Sequence, residues 1–245
     1  MATVRWQFWL GFGFFVSVVI GTGLGLYSLY RVAMDANQVP LRRLQVQGEL
    51  QYVSSDDVRA VLVQQPLGSF FSADVDTIRT QVESLAWVNR ASIRKEWPDL
   101  LRVFVVEQQP LAHWNSNRRK QALVNTAAEV FEADTSVLTQ PLPSLYGPET
   151  AVAETVAQYR SVQELLQLNG HQVSELRLSE RFAVEVVLQS GLQLRLGREA
   201  LLERVQRFID MYPQLSSHRQ QPIEYVDLRY DTGVAVSWRE PNKPK

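Results

Sequence analysis

The chain has 245 residues, in which 25 lysines and arginines balance 26 acidic residues, and it contains no cysteine. The near-neutral balance excludes a global basic field for nucleic acid or anionic lipid. The lack of cysteine excludes disulfides, thiolate catalysis and cysteine zinc sites. The folded part must therefore be held together by its apolar core alone.

An uncharged stretch near the N-terminus is long enough to cross a membrane. Between Arg5 and Arg31 the only ionisable side chains are tyrosines, and a bilayer-spanning helix needs about 20 apolar residues. We predict a transmembrane helix over residues 10–31, preceded by a short cytoplasmic tail over residues 1–9. Aromatic residues near both ends are typical of membrane interfaces: Trp6, Phe8, Trp9, Tyr27 and Tyr30. A cleaved signal peptide is the alternative, but its apolar core is usually only about 7–15 residues long.

Small residues recur at every fourth position within this span. They are Gly13, Ser17, Gly21 and Gly25. This spacing predicts a transmembrane packing face on which another helix could approach closely. Glycine is also common in membrane helices in general, so both interpretations stay open. Arginines lie on both sides of the span and do not decide its orientation, whereas the long chain after it favours export of that side.

Residues 41–112 have the pattern of a small α+β domain. Alternation of apolar and polar residues predicts strands, and Ser54 and Asp74 are suited to cap the starts of two helices. The predicted order is β-α-α-β-β. The elements are a strand at 41–48, helices that begin near residues 55 and 75, and strands at 87–97 and 101–106.

Residues 113–240 are predicted to form a mixed β domain with flanking helices, and residues 241–245 a disordered tail. One helix is predicted over 153–168. A second begins near Gly197 and is expected to end before Pro213, because proline disrupts a helix interior. Short strands are predicted at 122–124, 130–131, 173–178, 182–188, 192–196, 223–229 and 234–238.

The sequence shows no catalytic or metal-binding motif. The three histidines are far apart, and no metalloprotease, nucleophile-elbow, phosphate-loop or EF-hand spacing occurs. Ser92 and Lys95 match the S-x-x-K motif of penicillin-type acyl enzymes. That motif belongs at the start of a helix, whereas Ser92 lies in a predicted strand, and no K-T-G follows. The sequence therefore indicates no cofactor or metal, and no particular enzymatic reaction.

Aromatic and charged residues cluster near the C-terminus. Asp227 and Arg229 would lie on one face of a strand, where opposite charges can pair. Tyr225, Tyr230 and Trp238 are close in sequence, and tyrosine, tryptophan and arginine dominate the hot spots of protein interfaces. A C-terminal strand is often a sheet edge, which can accept a strand from another chain. Whether these rings bind a partner or belong to the core stays open at this point.

Several segments resemble the FtsQ/DivIB family of bacterial cell division proteins. They occur in order along nearly the whole chain: Leu85–Val88, Arg94–Asp99, Leu145–Glu149, Leu196–Arg198, Tyr225–Gly233 and Val236–Trp238. The resemblance implies a single-pass type II protein of the cell inner membrane, located at the division septum. It implies that most of the chain lies in the periplasm as a POTRA domain followed by a β domain.

The resemblance also implies partners and site residues. Proteins of this family are not enzymes. They bind FtsB and FtsL, with an FtsB segment added beside the last strand, and help to recruit FtsK, FtsW and FtsI. Thr232 stands where serine is common in the family, and Arg181 matches an arginine that pairs with an acidic FtsB residue. The alternative function is a POTRA-bearing accessory of protein export or outer-membrane assembly. The matching residues in this chain are Arg181, Tyr225, Arg229, Tyr230, Thr232, Gly233 and Trp238.

Overall fold

The protein is an α+β chain that divides into two compact units, Met1–Gln108 and Gln109–Lys245. The computed structural model describes residues 6–64, 67–115, 118–218, 221–230 and 233–239. The first unit contains α1 (Trp6–Met34), β1 (Arg43–Gln47), α2 (Ser55–Val63), α3 (Val75–Glu83), β2 (Val88–Glu96) and β3 (Leu100–Glu107). The second contains β4 (Pro110–Trp114), β5 (Ala122–Asn125), β6 (Val130–Glu132), β7 (Ser144–Tyr146), α4 (Val152–Gln167), β8 (Val173–Leu178), β9 (Val184–Leu188), β10 (Gln193–Gly197), α5 (Leu201–His218), β11 (Ile223–Asp227) and β12 (Ala235–Trp238).

Helix α1 is the predicted apolar helix. It has 29 residues, which corresponds to about 44 Å at 1.5 Å per residue. This length matches a bilayer of about 40–45 Å including its headgroup regions. The segment Trp9–Met34 has a mean hydropathy of 1.8 and no buried residues, so it is long and apolar enough to cross a membrane.

The predicted small-residue face of α1 has no packing partner in this chain among the described residues. A Cβ atom added to Gly13, Gly21 or Gly25 would meet nothing within 4 Å. The hydroxyl of Ser17 donates to the carbonyl of Gly13 at 2.9 Å. Close approach of another helix to this face stays a prediction.

The first unit forms a three-stranded sheet in the order β1-β3-β2 with two helices. Strand β3 is parallel to β1 and antiparallel to β2, and the elements follow the predicted β-α-α-β-β order. Leu101, Val103 and Val105 of β3 are buried. The capping box that begins α2 is reciprocal, because Ser54 and Asp57 each accept a hydrogen bond from the other's backbone N–H.

Glu107 fastens the loop before α2 to the end of β3. Its carboxylate accepts hydrogen bonds from the backbone amides of Gln51, Tyr52 and Val53 at 2.6–2.9 Å. Glu107→Gln replaces one acceptor oxygen with a donor. We expect it to lower the opening free energy of residues 51–53 by about 1 kcal/mol, measured by amide hydrogen exchange.

Glu96→Gln is the matched control for this substitution. Glu96 pairs with Arg102 at 2.9 Å, but both side chains are more than a third exposed, so the change should cost only a few tenths of a kcal/mol. Unchanged exchange of residues 51–53 in Glu107→Gln would show that the carboxylate does not hold this loop.

The second unit forms a nine-stranded sheet in the order β12-β11-β10-β9-β8-β7-β4-β5-β6. Helix α4 connects the parallel strands β7 and β8, and α5 connects the parallel strands β10 and β11. Both helices pack on the sheet face that contains Leu176, Val186, Leu194 and Val226, which are fully buried. The side chains that alternate with these residues along the strands lie on the opposite face, which is mainly polar.

The structure departs from the sequence predictions at three places in this unit. Strands β4 and β7 were not predicted, although β7 lies between β4 and β8 in the sheet. The predicted end of α5 before Pro213 is wrong, because the helix continues to His218. Pro213 removes one intrahelical hydrogen bond and its ring crowds the carbonyl four residues earlier, but the helix continues through it.

Candidate functional site

Strand β12 forms one edge of the nine-stranded sheet. It pairs antiparallel with β11, with Val226 opposite Val236 and Asp227 opposite Ala235. Its other side has no strand partner in the part of the chain that the structure describes. The predicted location of the C-terminal strand at a sheet edge is therefore what the structure shows.

The backbone pattern of β12 shows which amides face outward. Residues of an antiparallel strand alternate between bonding to the neighbour and pointing away from it. The amide of Arg239 donates to the carbonyl of Pro222 at 2.9 Å, towards β11. Residues 235 and 237 therefore also bond towards β11, whereas the amide of Val236 points to the open edge.

The polar face beside this edge contains two charged contacts. The guanidinium of Arg195 lies 4.3 Å from the centre of the Tyr225 ring, a cation–π contact. Arg229 pairs with Asp227 at 2.6 Å, as the sequence spacing predicted. The Asp227 side chain is only 6% exposed, so this pair fixes the direction in which the chain leaves β11.

Two arginines of α5 hold the segment that follows β11. Arg204 donates to the carbonyl of Leu196 at 2.6 Å and to that of Arg229 at 3.3 Å. Arg207 donates to the carbonyl of Tyr230 at 2.6 Å. With its backbone held in this way, the Tyr230 side chain points outward and is 58% exposed.

Gly197 makes room for this arrangement. Its φ of +74° lies in the left-handed region, and an added Cβ would stand 2.8 Å from the Arg204 guanidinium and 3.3 Å from Cγ of Arg229. Glycine therefore serves both the turn from β10 to α5 and the close approach of the two arginines.

The structure brings most of the predicted site residues to one end of the sheet. Arg181 lies in the turn between β8 and β9, at the end where β10 and β11 also finish. Arg229, Tyr230 and Gly233 follow β11 at this same end. Trp238 lies at the opposite end of β12, across from Ile223. The predicted set therefore extends along the whole edge strand. Thr232 lies outside the described residues.

Sequence reasoning missed four residues of this region. Arg195, Arg204 and Arg207 support it from neighbouring elements. Phe182, next to Arg181, has a φ of +59° and a side chain that is 52% exposed. The short connection between two predicted strands could have indicated that Phe182 is exposed at a turn. The contacts of the three arginines depend on the tertiary fold and could not be predicted from the sequence.

The other chemical motif considered, Ser92 with Lys95, does not form an acyl-enzyme site. Both residues lie in strand β2, where a spacing of three places side chains on opposite faces. The Lys95 ammonium donates to the carbonyl of Ala73 at 2.9 Å. Among the described residues there is no group of three or more histidines and carboxylates that could hold a metal.

The Asp227–Arg229 pair predicts a pH dependence. The hydrogen bond from the Arg229 side chain, opposed by burial, lowers the pKa of Asp227 below its ordinary value of 3.8. A lowered pKa means that the pair stabilises the fold above about pH 4 and that this contribution is lost as the pH falls through the folded-state pKa. Asp227→Asn should therefore destabilise the second unit at pH 7 by about 1 kcal/mol.

Hydrogen exchange of strand β11 at several pH values measures this effect. The difference between the wild type and Asp227→Asn should shrink as the pH is lowered below 3.8. Asp210→Asn on the exposed side of α5 is the control. A difference that stayed constant down to low pH would contradict the role of the ionised carboxylate.

Comparison with known proteins identifies the family. Residues 112–229 match the profile described as cell division protein FtsQ/DivIB, C-terminal, and residues 39–108 match the POTRA domain, FtsQ-type. A cell division protein FtsQ of Shewanella oneidensis is 42% identical over 236 residues, covering 96% of this chain and 88% of the relative. The chain belongs to the FtsQ/DivIB family of cell division proteins.

Two further FtsQ relatives support the assignment over most of their length. The protein of Vibrio cholerae is 38% identical, covering 93% of this chain and 86% of the relative. The protein of Escherichia coli is 37% identical, covering 83% of this chain and 75% of the relative. The FtsQ-type POTRA match favours cell division over the export-accessory alternative. The C-terminal profile match ends at residue 229, so β12 lies beyond it.

Proposed function

We propose that the chain is a non-enzymatic divisome scaffold that binds FtsB and FtsL through the open edge of β12. Family membership supports a role in cell division. The observation that supports the binding mode is the edge position of β12, which has no second strand neighbour among the described residues and whose outward amide at Val236 can pair with an added strand.

The surroundings of the edge suit a peptide that contains an acidic residue. Arg181 and Arg229 lie at the same end of the sheet, where the chain leaves β11, and the exposed Tyr230 follows Arg229 directly in the sequence. Backbone pairing would supply affinity, and the exposed ring and guanidinium groups would select side chains. Thr232 is proposed to contribute to the same binding site, because it lies between Tyr230 and Gly233 in the sequence.

The proposed location follows from helix α1. One apolar helix at the N-terminal end suggests a single-pass membrane protein. We propose that it anchors the chain in the cell inner membrane in type II orientation, with both folded units in the periplasm at the division septum. Recruitment of FtsK, FtsW and FtsI would then proceed through the assembled complex.

Binding of the full chain in lipid nanodiscs to the FtsB–FtsL complex of the same organism tests this function. We expect saturable binding that is lost when the segment of FtsB that follows its coiled coil is removed. Equal binding of the truncated complex would place the contact away from β12. The absence of any binding would contradict the proposed function.

A further inference from the structure

An exposed aromatic cluster lies in the first unit, far in sequence from the proposed edge site. Phe70 packs edge-on against Phe71 at 5.3 Å and against Trp97 at 5.6 Å, and Phe71 lies 6.1 Å from Trp97. Trp97 is 69% exposed and Phe71 is 50% exposed. Two large rings held together and open to the surroundings are unusual on a surface that only faces water.

Hydrogen bonds place this aromatic cluster beside the C-terminal end of α1. The hydroxyl of Ser69, which is fully buried, donates to the carbonyl of Ala33 at 2.8 Å. The amide of Phe70 donates to the carbonyl of Val39 at 2.8 Å. Ala33 lies in the last turn of α1, so the rings are tied to the point where that helix ends.

The turn that contains Trp97 is held to the same region of the chain. The Arg43 guanidinium contacts the Asp99 carboxylate at 2.6 Å, and the amide of Arg43 donates to the Asp99 carbonyl at 3.1 Å. The amide of Arg42 also donates to the Asp99 carbonyl at 3.1 Å, so both aromatic loops are fastened to the segment that runs from the end of α1 to the start of β1. Their position relative to the helix end does not depend on a flexible tether.

The length of α1 puts this region at the height of a membrane interface. A helix of 29 residues spans about 44 Å, the thickness of a bilayer with its headgroups. Tryptophan and other aromatic rings favour that interface, where they lie about 5–10 Å deep. The exposed side chains of Arg31 and Arg42 flank the helix exit, where anionic headgroups attract cations.

We propose that Phe71 and Trp97 insert into the headgroup region of the bilayer and hold the POTRA domain against the membrane surface. This inference rests on the membrane anchoring proposed above. The surface that the exposed rings contact is the lipid interface that surrounds α1. The second attachment would restrict how the POTRA domain can tilt about the end of the helix.

Single cysteines can test this directly, because the chain has none of its own. The full chain is reconstituted in vesicles of phosphatidylethanolamine and phosphatidylglycerol, with a nitrobenzoxadiazole label on one cysteine at a time. Quenching by a lipid with a spin label near its headgroup is then measured. We expect several-fold stronger quenching for Phe71→Cys than for Asp56→Cys.

Asp56 is a suitable reference position because it is exposed at the start of α2. That end of the domain is reached along β3, whose 8 residues span about 26 Å. Adding Trp97→Ser to the Phe71→Cys chain should reduce the quenching, because it removes the inserted ring that the labelled chain still has. A label at Phe71 quenched no more than at Asp56 would overturn the inference.

A third label separates this inference from the anchoring on which it rests. Leu24→Cys lies in the middle of α1 and should be quenched by lipids with a spin label deep in the acyl chain. Loss of that signal would contradict the membrane span itself. A normal signal at Leu24 with no quenching at Phe71 would leave the anchor in place and reject only the interfacial contact.

Discussion

Replacing Tyr230 and Trp238 together with alanine is expected to weaken FtsB–FtsL binding by at least about 30-fold, or 2 kcal/mol. The two rings lie at opposite ends of β12, so the double substitution removes side-chain contacts along the whole edge. Tyr230 is 58% exposed, so its loss should affect binding rather than folding. Titration of the full chain in nanodiscs with the partner complex measures the change.

The matched control removes two exposed apolar side chains that belong to neither proposed contact surface. Phe104→Ala with Leu168→Ala deletes apolar area from residues that are 48% and 80% exposed. Binding of this control should equal that of the wild type. An unchanged affinity for the Tyr230 and Trp238 double variant, with its sheet intact by hydrogen exchange, would show that the rings are not part of the site.

Val236→Pro is expected to weaken binding by about tenfold or more. The amide of Val236 points to the open edge, so proline removes a donor that an added strand would use while leaving the bonds to β11 intact. One backbone hydrogen bond contributes about 1 kcal/mol, and the proline ring also obstructs the approach of a neighbouring strand. Competition with labelled FtsB segment provides the affinity.

Val236→Ala separates the backbone effect from the side-chain effect. Val236 packs partly against the core, so both variants lose that contact, but alanine keeps the N–H group. We expect alanine to retain most of the affinity that proline loses. Equal losses in the two variants would mean that the edge amide does not take part in binding.

Several helices and strands of this fold could be predicted from patterns within their own segments of the sequence. Alternation predicted β1 and β2, an aliphatic run predicted β3, and the capping residue Ser54 predicted the start of α2. The uncharged N-terminal run predicted α1. In each case the signal lies within one helix or strand, so no knowledge of distant neighbours is needed.

Strand β7 shows what such patterns cannot reveal. Its three residues, Ser144–Tyr146, are too few for alternation to be recognised, and prolines stand at positions 141, 143 and 148. The strand exists because it pairs in parallel with β4 on one side and β8 on the other. Those partners come from distant parts of the chain.

The candidate site was predictable in the same partial way. The Asp227–Arg229 pair and the edge position of β12 follow from spacing and from place in the chain, and the structure has both. The support from Arg204 and Arg207 depends on α5 crossing back to meet the end of β11. A parallel crossover of this kind brings together residues that are far apart in the sequence, so no local pattern predicts their contact.

Amide hydrogen exchange of the full chain in nanodiscs, with and without the FtsB–FtsL complex, tests strand addition at β12 most directly. Strand addition predicts new protection at the outward amide of Val236, while β6, at the other edge of the same sheet, exchanges as before. Protection at β6, or at no strand of the second unit despite saturating partner, would contradict binding at the C-terminal edge.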